Sequence, residues 1–193
     1  MPSPARLLSL ATAVPPFTLR QDEVMAQARR LFQARGEGIE RLLPVYDNAG
    51  IETRYSCVPL EWYHAPGGWK DKNALFIEHA VELLRRAARD CLARAEVPTE
   101  RVDTIVAVST SGIATPSLDA RLMEALPFRR DVERLPIFGL GCAGGVLGLA
   151  RAAAMARAAP GSLVLFLVVE LCGLTFRNTD VSKSNIIATA LFG

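Results

Sequence analysis

Residues 135–153 read LPIFGLGCAGGVLGLARAA and place one cysteine, Cys142, between two apolar segments of different periodicity. The run 135–140 has the composition of a buried strand, whereas the apolar residues after 145 recur at helical spacing. We therefore expect Cys142 to lie where a strand ends and a helix begins. Unpaired backbone N–H groups and the positive end of the helix dipole stabilise a thiolate there, and the thiolate is the attacking form of cysteine.

The residues around Cys142 favour a nucleophile over a structural thiol. Gly141, Gly144 and Gly145 carry no side chain, so the backbone can turn tightly and a carbonyl substrate can approach the sulfur and nearby amide donors. Free cysteines are commonly buried as small apolar residues. The combination of strand, glycines and helix is typical of a nucleophile turn.

The rest of the chain alternates between strand and helix patterns. Strands are predicted at 6–14, 104–108, 135–140 and 163–169, and helices at 21–34, 72–95, 117–126 and from Cys142 to about 158. Continuous apolar strands joined by helices indicate an α/β protein with a mostly parallel sheet and helices on both faces. The apolar residues 186–193 are compatible with a strand, but their abrupt end suggests a chain cut in mid-fold.

Composition narrows the class of protein. With 193 residues, half of them hydrophobic, the chain suits one large globular domain, and a net charge of +2 argues against nucleic acid as its main partner. No secretory signal is apparent, and the apolar run 163–169 meets Glu170 well short of the roughly 20 residues that span a membrane. Four scattered cysteines without a CxxC pair suggest neither disulfides nor a metal site, so we expect a cytoplasmic protein.

Four motifs follow one another along the chain: VSTSGI at 108–113 with Pro116, GLGCAGG at 139–145, ELCGLTF at 170–176 and ALFG at 190–193. In this order and approximate spacing they resemble the N-terminal half of the type III polyketide synthases, the chalcone and stilbene synthase family. The resemblance implies a thiolase-like fold made of two similar α/β halves. Residues 1–193 would then be the N-terminal domain, truncated before the C-terminal half.

The resemblance also implies an activity, the decarboxylative condensation of malonyl-CoA onto a starter acyl group. Cys142 matches the nucleophile that receives the starter from acyl-CoA. Phe192 matches the aromatic gatekeeper between the coenzyme A tunnel and the reaction cavity. Coenzyme A thioesters would be substrates, with no permanently bound cofactor and no metal. A homodimer is expected, in which Thr115 matches a loop residue that reaches across the interface.

Further residues match family positions near the substrates. Those that border the starter pocket or shape the cavity are Thr110, Ser111, Cys172 and Thr175, with Ala188 near the same surface. Arg54, in the segment Ile-x-x-Arg-Tyr, matches a position near the coenzyme A channel and is the candidate cofactor-binding residue. A guanidinium suits a phosphate because it can donate two parallel hydrogen bonds.

The catalytic partners of the cysteine are expected outside this chain. In the family, a histidine and an asparagine activate the thiol and stabilise the thioester enolate, and neither His64, His79 nor Asn185 matches them. The chain alone should therefore fold poorly, dimerise abnormally or lack condensing activity. Two alternatives stay open: a priming ketoacyl synthase of fatty acid synthesis, and a non-catalytic half-domain that pairs with a partner through an exposed apolar edge.

Overall fold

The computed structural model describes residues 4–33 and 39–192, which divide into two units. The first unit comprises Met1–Ala13 and Ile77–Glu170, and the second comprises Val14–Phe76 and Leu171–Gly193. The strands are β1 (Phe17–Arg20), β2 (Thr53–Ser56), β3 (Thr104–Ser109), β4 (Glu133–Phe138) and β5 (Val164–Val168). The α-helices are α1 (Gln21–Gln33), α2 (Pro44–Asn48), α3 (Trp69–Arg94), α4 (Leu118–Ala125), α5 (Gly144–Ala158) and α6 (Lys183–Leu191).

The first unit is built on a parallel three-stranded sheet in the order β4-β3-β5. All six residues of β3 are buried, as expected for a central strand covered on both faces. Helix α5 covers the face of Val108, because Gly148 lies against that side chain. Ile105 is an odd number of residues from Val108 and therefore points to the opposite face of the sheet, and Arg134 of β4 is in register with it. Arg134 donates a hydrogen bond of 3.0 Å to Asp119 of α4, so this helix lies on that second face. Helices on both faces of a parallel sheet confirm the predicted α/β class.

The second unit combines a small antiparallel sheet with three packed helices. β1 pairs with β2, and Leu19 of β1 enters a core to which α1, α2 and α6 contribute. Val24, Ala28 and Phe32 repeat every four residues along α1 and form its buried stripe. Ile186 and Ala190 supply the corresponding contacts from α6.

Two sequence expectations are wrong. No strand forms at 6–14, where Leu7, Leu8 and Leu10 are exposed; a strand needs a neighbouring backbone, and no described strand pairs with this segment. The strand that the sequence allowed at 186–193 does not form over 186–191 either, because α6 continues there to its end at Leu191. Its start is capped by Ser182, whose hydroxyl accepts from the Asn185 N–H.

The remaining predicted strands and helices are present, with ends shifted by a few residues. Ala34, predicted as the last residue of the first helix, and Gly193, the last residue of the ALFG motif, lie outside the described residues. None of the described helices is both long and apolar enough to cross a membrane.

Candidate active site

Cys142 occupies the single turn of 3-10 helix, Gly141–Ala143, that joins β4 to the start of α5. Its side chain is exposed. Gly139 and Gly141 have φ values of 86° and 55°, in the left-handed region that favours glycine, so the turn needs them. The structure thus places the thiol at the strand-to-helix junction that the sequence predicts.

Two glycines let the start of α5 approach the sheet closely. A Cβ on Gly144 would lie 2.8 Å from Cγ1 of Val108, and one on Gly148 would lie 2.6 Å from Cε2 of Phe166. By contrast, a Cβ on Gly145 would meet nothing within 4 Å. The small residues one turn apart therefore set the distance between α5 and the sheet, and with it the position of Cys142.

Polar side chains follow β3 and β5, and one of them, Thr110, contacts the turn that carries Cys142. The hydroxyl of Thr110 accepts a hydrogen bond of 3.1 Å from the Gly141 N–H, which ties the residue before Cys142 to the end of β3. Ser111 donates to one oxygen of Glu170 from its N–H at 2.9 Å and from its hydroxyl at 2.6 Å. These groups lie at the carboxyl edge of the parallel sheet, where sites in open α/β folds usually form.

Glu170, the first residue of the ELCGLTF motif, is a further candidate site residue, for which the sequence predicts no role. Its second carboxylate oxygen is buried and has no hydrogen-bond partner within the part of the chain that the structure describes. The available signal was a single carboxylate directly after the apolar run 163–169, at the same edge as the hydroxyls that follow β3. The Glu170 carboxylate therefore presents one buried oxygen without a described partner, next to the oxygen that binds Ser111.

The second unit contains a cavity of about 110 Å³. Five residues predicted from the sequence line it, together with mostly apolar side chains: Arg54, Cys172, Thr175, Ala188 and Phe192. The hydroxyl of Thr175 donates to the Cys172 carbonyl across 2.7 Å. The candidate residues thus form two groups, one around Cys142 in the first unit and one around this cavity in the second.

Arg54 is buried, with only 7% of its surface exposed. Its Nη1 donates to the carbonyls of Thr189 at 2.6 Å and Phe192 at 2.9 Å, and its Nη2 donates to that of Ala190 at 3.1 Å. Desolvation by burial lowers the pKa of its guanidinium. A coenzyme A phosphate would compete with these carbonyls, and the predicted phosphate contact stays a prediction.

Neither the buried thiol of Cys57 nor the histidines take part in hydrogen bonds with Cys142 within the described residues. Burial raises the pKa of Cys57 from 9.0 to about 11. The His64 ring is hydrogen bonded to the Gln27 side chain, and within residues 4–33 and 39–192 no histidine hydrogen bonds to Cys142. Over the same residues, no group of three or more His, Cys, Asp or Glu side chains is placed to hold a metal ion.

Comparison with known proteins identifies the family. Residues 2–193 match the model of the chalcone and stilbene synthases, N-terminal domain. A putative chalcone synthase of Bacillus subtilis is 42% identical over 98% of this chain and 53% of its own length. A 1,3,6,8-tetrahydroxynaphthalene synthase of Streptomyces peucetius is 36% identical over 94% of this chain and 48% of its own length. The chain thus spans about half the length of the curated relatives it matches.

The fold agrees with solved structures of the same family. The crystal structure of 1,3,6,8-tetrahydroxynaphthalene synthase from Streptomyces coelicolor, a bacterial type III polyketide synthase, superposes with a TM-score of 0.90 at 28% identity, covering 96% of this chain and 54% of that one. This likeness confirms the expected thiolase-like fold. The chain therefore belongs to the chalcone and stilbene synthase family, whose N-terminal domain it matches over nearly its whole length.

Proposed function

We propose that the protein catalyses decarboxylative condensation of malonyl-CoA onto a starter acyl group carried by Cys142. One observation carries the proposal: an exposed thiol lies in the turn before α5, beside the carboxyl edge of a parallel sheet. Backbone N–H groups at a helix start favour negative charge on the sulfur and on an oxyanion next to it. The names of the relatives, chalcone synthase and tetrahydroxynaphthalene synthase, support polyketide chemistry rather than fatty acid priming.

In the proposed first step, the Cys142 thiolate attacks the thioester carbonyl of acyl-CoA. A new carbon–sulfur bond forms, and the coenzyme A thiolate leaves with its electron pair. Malonyl-CoA then loses carbon dioxide, and the resulting enolate carbon attacks the acyl-cysteine and releases the Cys142 thiolate. Thr110 would hold the nucleophile turn through the Gly141 N–H throughout. No cofactor is consumed, since decarboxylation supplies the carbanion.

Five residues are proposed to contact or shape the space for the acyl chain: Thr110, Ser111, Cys172, Thr175 and Phe192. The last three are supported by their position on one mostly apolar cavity. An apolar wall suits an acyl chain, and the position of Phe192, a residue that is 43% exposed, suits a gate. The thiol of Cys172 and the hydroxyl of Thr175 would set the shape of the pocket.

We also propose that residues 1–193 are the N-terminal domain of a two-half enzyme and need a second half-domain for turnover. Within the described residues Cys142 has no hydrogen-bonded base. Val146, Leu147 and Leu149 expose an apolar face on the helix that follows it. A second domain, like the one that completes the relatives, would cover this face and supply the histidine and asparagine. If that domain brings no such groups, the chain is a pairing module instead.

A chimera tests the function directly. Residues 1–193 are fused to the remaining half of the Bacillus subtilis relative and incubated with acyl-CoA and malonyl-CoA, while the unfused chain and the Cys142→Ala chimera serve as controls. We expect the fusion to release carbon dioxide and form extended products over many turnovers, and both controls to form none. Multiple turnover by the unfused chain would refute the half-domain proposal, and condensation only with malonyl-acyl carrier protein would favour the ketoacyl synthase.

We also propose a cytoplasmic location and a homodimer, each from a separate observation. None of the four cysteines, all of which lie in the described residues, forms a disulfide bond, which suits the reducing cytoplasm. Phe138 and Ile113 are 62% and 54% exposed, which favours a homodimer that covers them. Cell fractionation and sedimentation velocity of the purified protein would test these two proposals separately.

A further inference from the structure

The C-terminal end of α6 is unusual in how its carbonyls are satisfied. The last four carbonyls of a helix have no intrahelical partner and need another donor. Here the guanidinium of Arg54, which lies on β2, donates to the carbonyls of Thr189, Ala190 and Phe192. One side chain distant in sequence thus satisfies two of these helix carbonyls, those of Thr189 and Ala190, and the carbonyl of the residue that follows the helix, Phe192.

Neighbouring side chains hold the same turn. Nε2 of Gln21 donates to the Ala190 carbonyl and to the Tyr46 carbonyl, both at 3.1 Å. The Tyr46 hydroxyl is hydrogen bonded to the Thr189 hydroxyl. Gln21 and Arg54 are 8% and 7% exposed, so this polar group is built into the core of the second unit. The hydrogen bonds of this network hold the backbone carbonyls of Tyr46, Thr189, Ala190 and Phe192.

The charge of Arg54 is matched by the helix and not by a carboxylate. Across residues 4–33 and 39–192, no Asp or Glu forms a hydrogen bond or an ion pair with its guanidinium. The negative end of the α6 dipole, equivalent to about half a charge, faces it instead. A buried cation needs such compensation, so the helix end and Arg54 stabilise each other.

Phe192 is the residue on which this arrangement acts. It follows α6 directly, its N–H donates to the Ala188 carbonyl at 2.9 Å, and its own carbonyl accepts from Arg54. Both backbone polar groups of Phe192 are therefore fixed. Its side chain and that of Arg54 line the same cavity.

We propose that Arg54 is a positioning residue that caps the C-terminus of α6 and thereby fixes Phe192 at the wall of the cavity. It acts through three backbone carbonyls and is not a ligand for a substrate phosphate. The effect on product formation rests on the function proposed above, whereas the cap itself does not. The two parts can therefore be tested by different measurements.

The cap is tested by hydrogen–deuterium exchange of the full chain with Arg54→Met, Arg54→Lys and the surface control Arg30→Met. We expect amides of residues 183–192 to exchange at least about tenfold faster in Arg54→Met, which corresponds to one or more lost hydrogen bonds of about 1.4 kcal/mol. Arg54→Lys should fall between, because an ammonium reaches fewer carbonyls. Peptides from α5 and the Arg30→Met control should match the wild type.

Unchanged exchange at 183–192 in Arg54→Met would overturn the cap. If Arg54→Met unfolds throughout, Arg54→Lys decides instead: local acceleration at 183–192 supports the proposal, and exchange identical to wild type refutes it.

The positioning role is tested with two thioesters in the fused, turnover-competent protein: acyl-CoA and the acyl N-acetylcysteamine thioester, which lacks the phosphates. We expect Arg54→Lys to change kcat and product length equally with both substrates and in the same direction as Phe192→Ala. A rise in KM of about tenfold with acyl-CoA alone would show a phosphate ligand and overturn the proposal. If the wild type condenses neither thioester, the proposed function fails, while the exchange experiment still decides the cap.

Discussion

Gly148→Ala is the substitution that most sharply tests how α5 is seated on the sheet. The new Cβ would lie 2.6 Å from Phe166 and 2.7 Å from Val108, whereas ordinary contacts begin near 3.4 Å. Either those side chains shift or α5 moves outward by most of an ångström. Overpacking of this kind costs about 1–3 kcal/mol, and alanine returns up to about 1 kcal/mol through helix propensity. We expect a net loss of up to about 2 kcal/mol.

The matched control is Gly145→Ala on the same helix, where the added Cβ meets nothing within 4 Å. Its stability should equal or exceed that of the wild type by up to about 1 kcal/mol. Urea unfolding followed by circular dichroism measures both variants. Because Cys142 is held at the start of α5, the displacement should also slow the acylation of Cys142 in the Gly148→Ala variant by up to about 100-fold. A Gly148→Ala variant as stable as Gly145→Ala would refute the close-packing explanation.

Two further predictions concern the nucleophile turn. Thr110→Val removes the acceptor for the Gly141 N–H, so it should lower the free energy of unfolding by about 1 kcal/mol and slow the acylation of Cys142. Thr110→Ser keeps a hydroxyl and should stay near the wild type in both measurements. Equal unfolding curves for the two variants would contradict the role of the hydroxyl. Iodoacetamide near pH 8, followed by peptide mass mapping, should modify Cys142 at least about 100-fold faster than Cys57, because a pKa raised from 9.0 to about 11 reduces the thiolate of Cys57 by that factor. Equal rates would show that Cys142 is no more reactive than a buried thiol.

The central part of the fold could be predicted because its signals are local. The β-branched run at 104–108 forms a fully buried strand, and the glycine-rich turn around Cys142 joins a strand to a helix, as expected. The order of motifs also identified the family. Such patterns need only the spacing of apolar residues and the backbone freedom of glycine.

Other features depend on tertiary partners that the sequence does not display. Residues 6–14 have strand-like composition, but none of the described strands pairs with them. β1 and β2 have four residues each, which is too short to give a periodic signal. The environment of Arg54 was equally hidden, because its partners are backbone carbonyls 135 to 138 residues away. Carbonyls carry no residue identity, so no sequence motif could predict the contact between Arg54 and the end of α6, and the phosphate contact stays a prediction.

The most direct test of the proposed chemistry is to locate the acyl group after mixing the fused protein with acyl-CoA in the absence of malonyl-CoA. Intact-protein mass spectrometry gives the number of acyl groups, and peptide mapping gives their position. We expect one thioester-linked acyl group on the peptide that contains Cys142, and none in the Cys142→Ala variant. An acyl group on Cys57, Cys91 or Cys172 instead, or unchanged labelling of Cys142→Ala, would contradict the assignment of Cys142 as the acyl carrier.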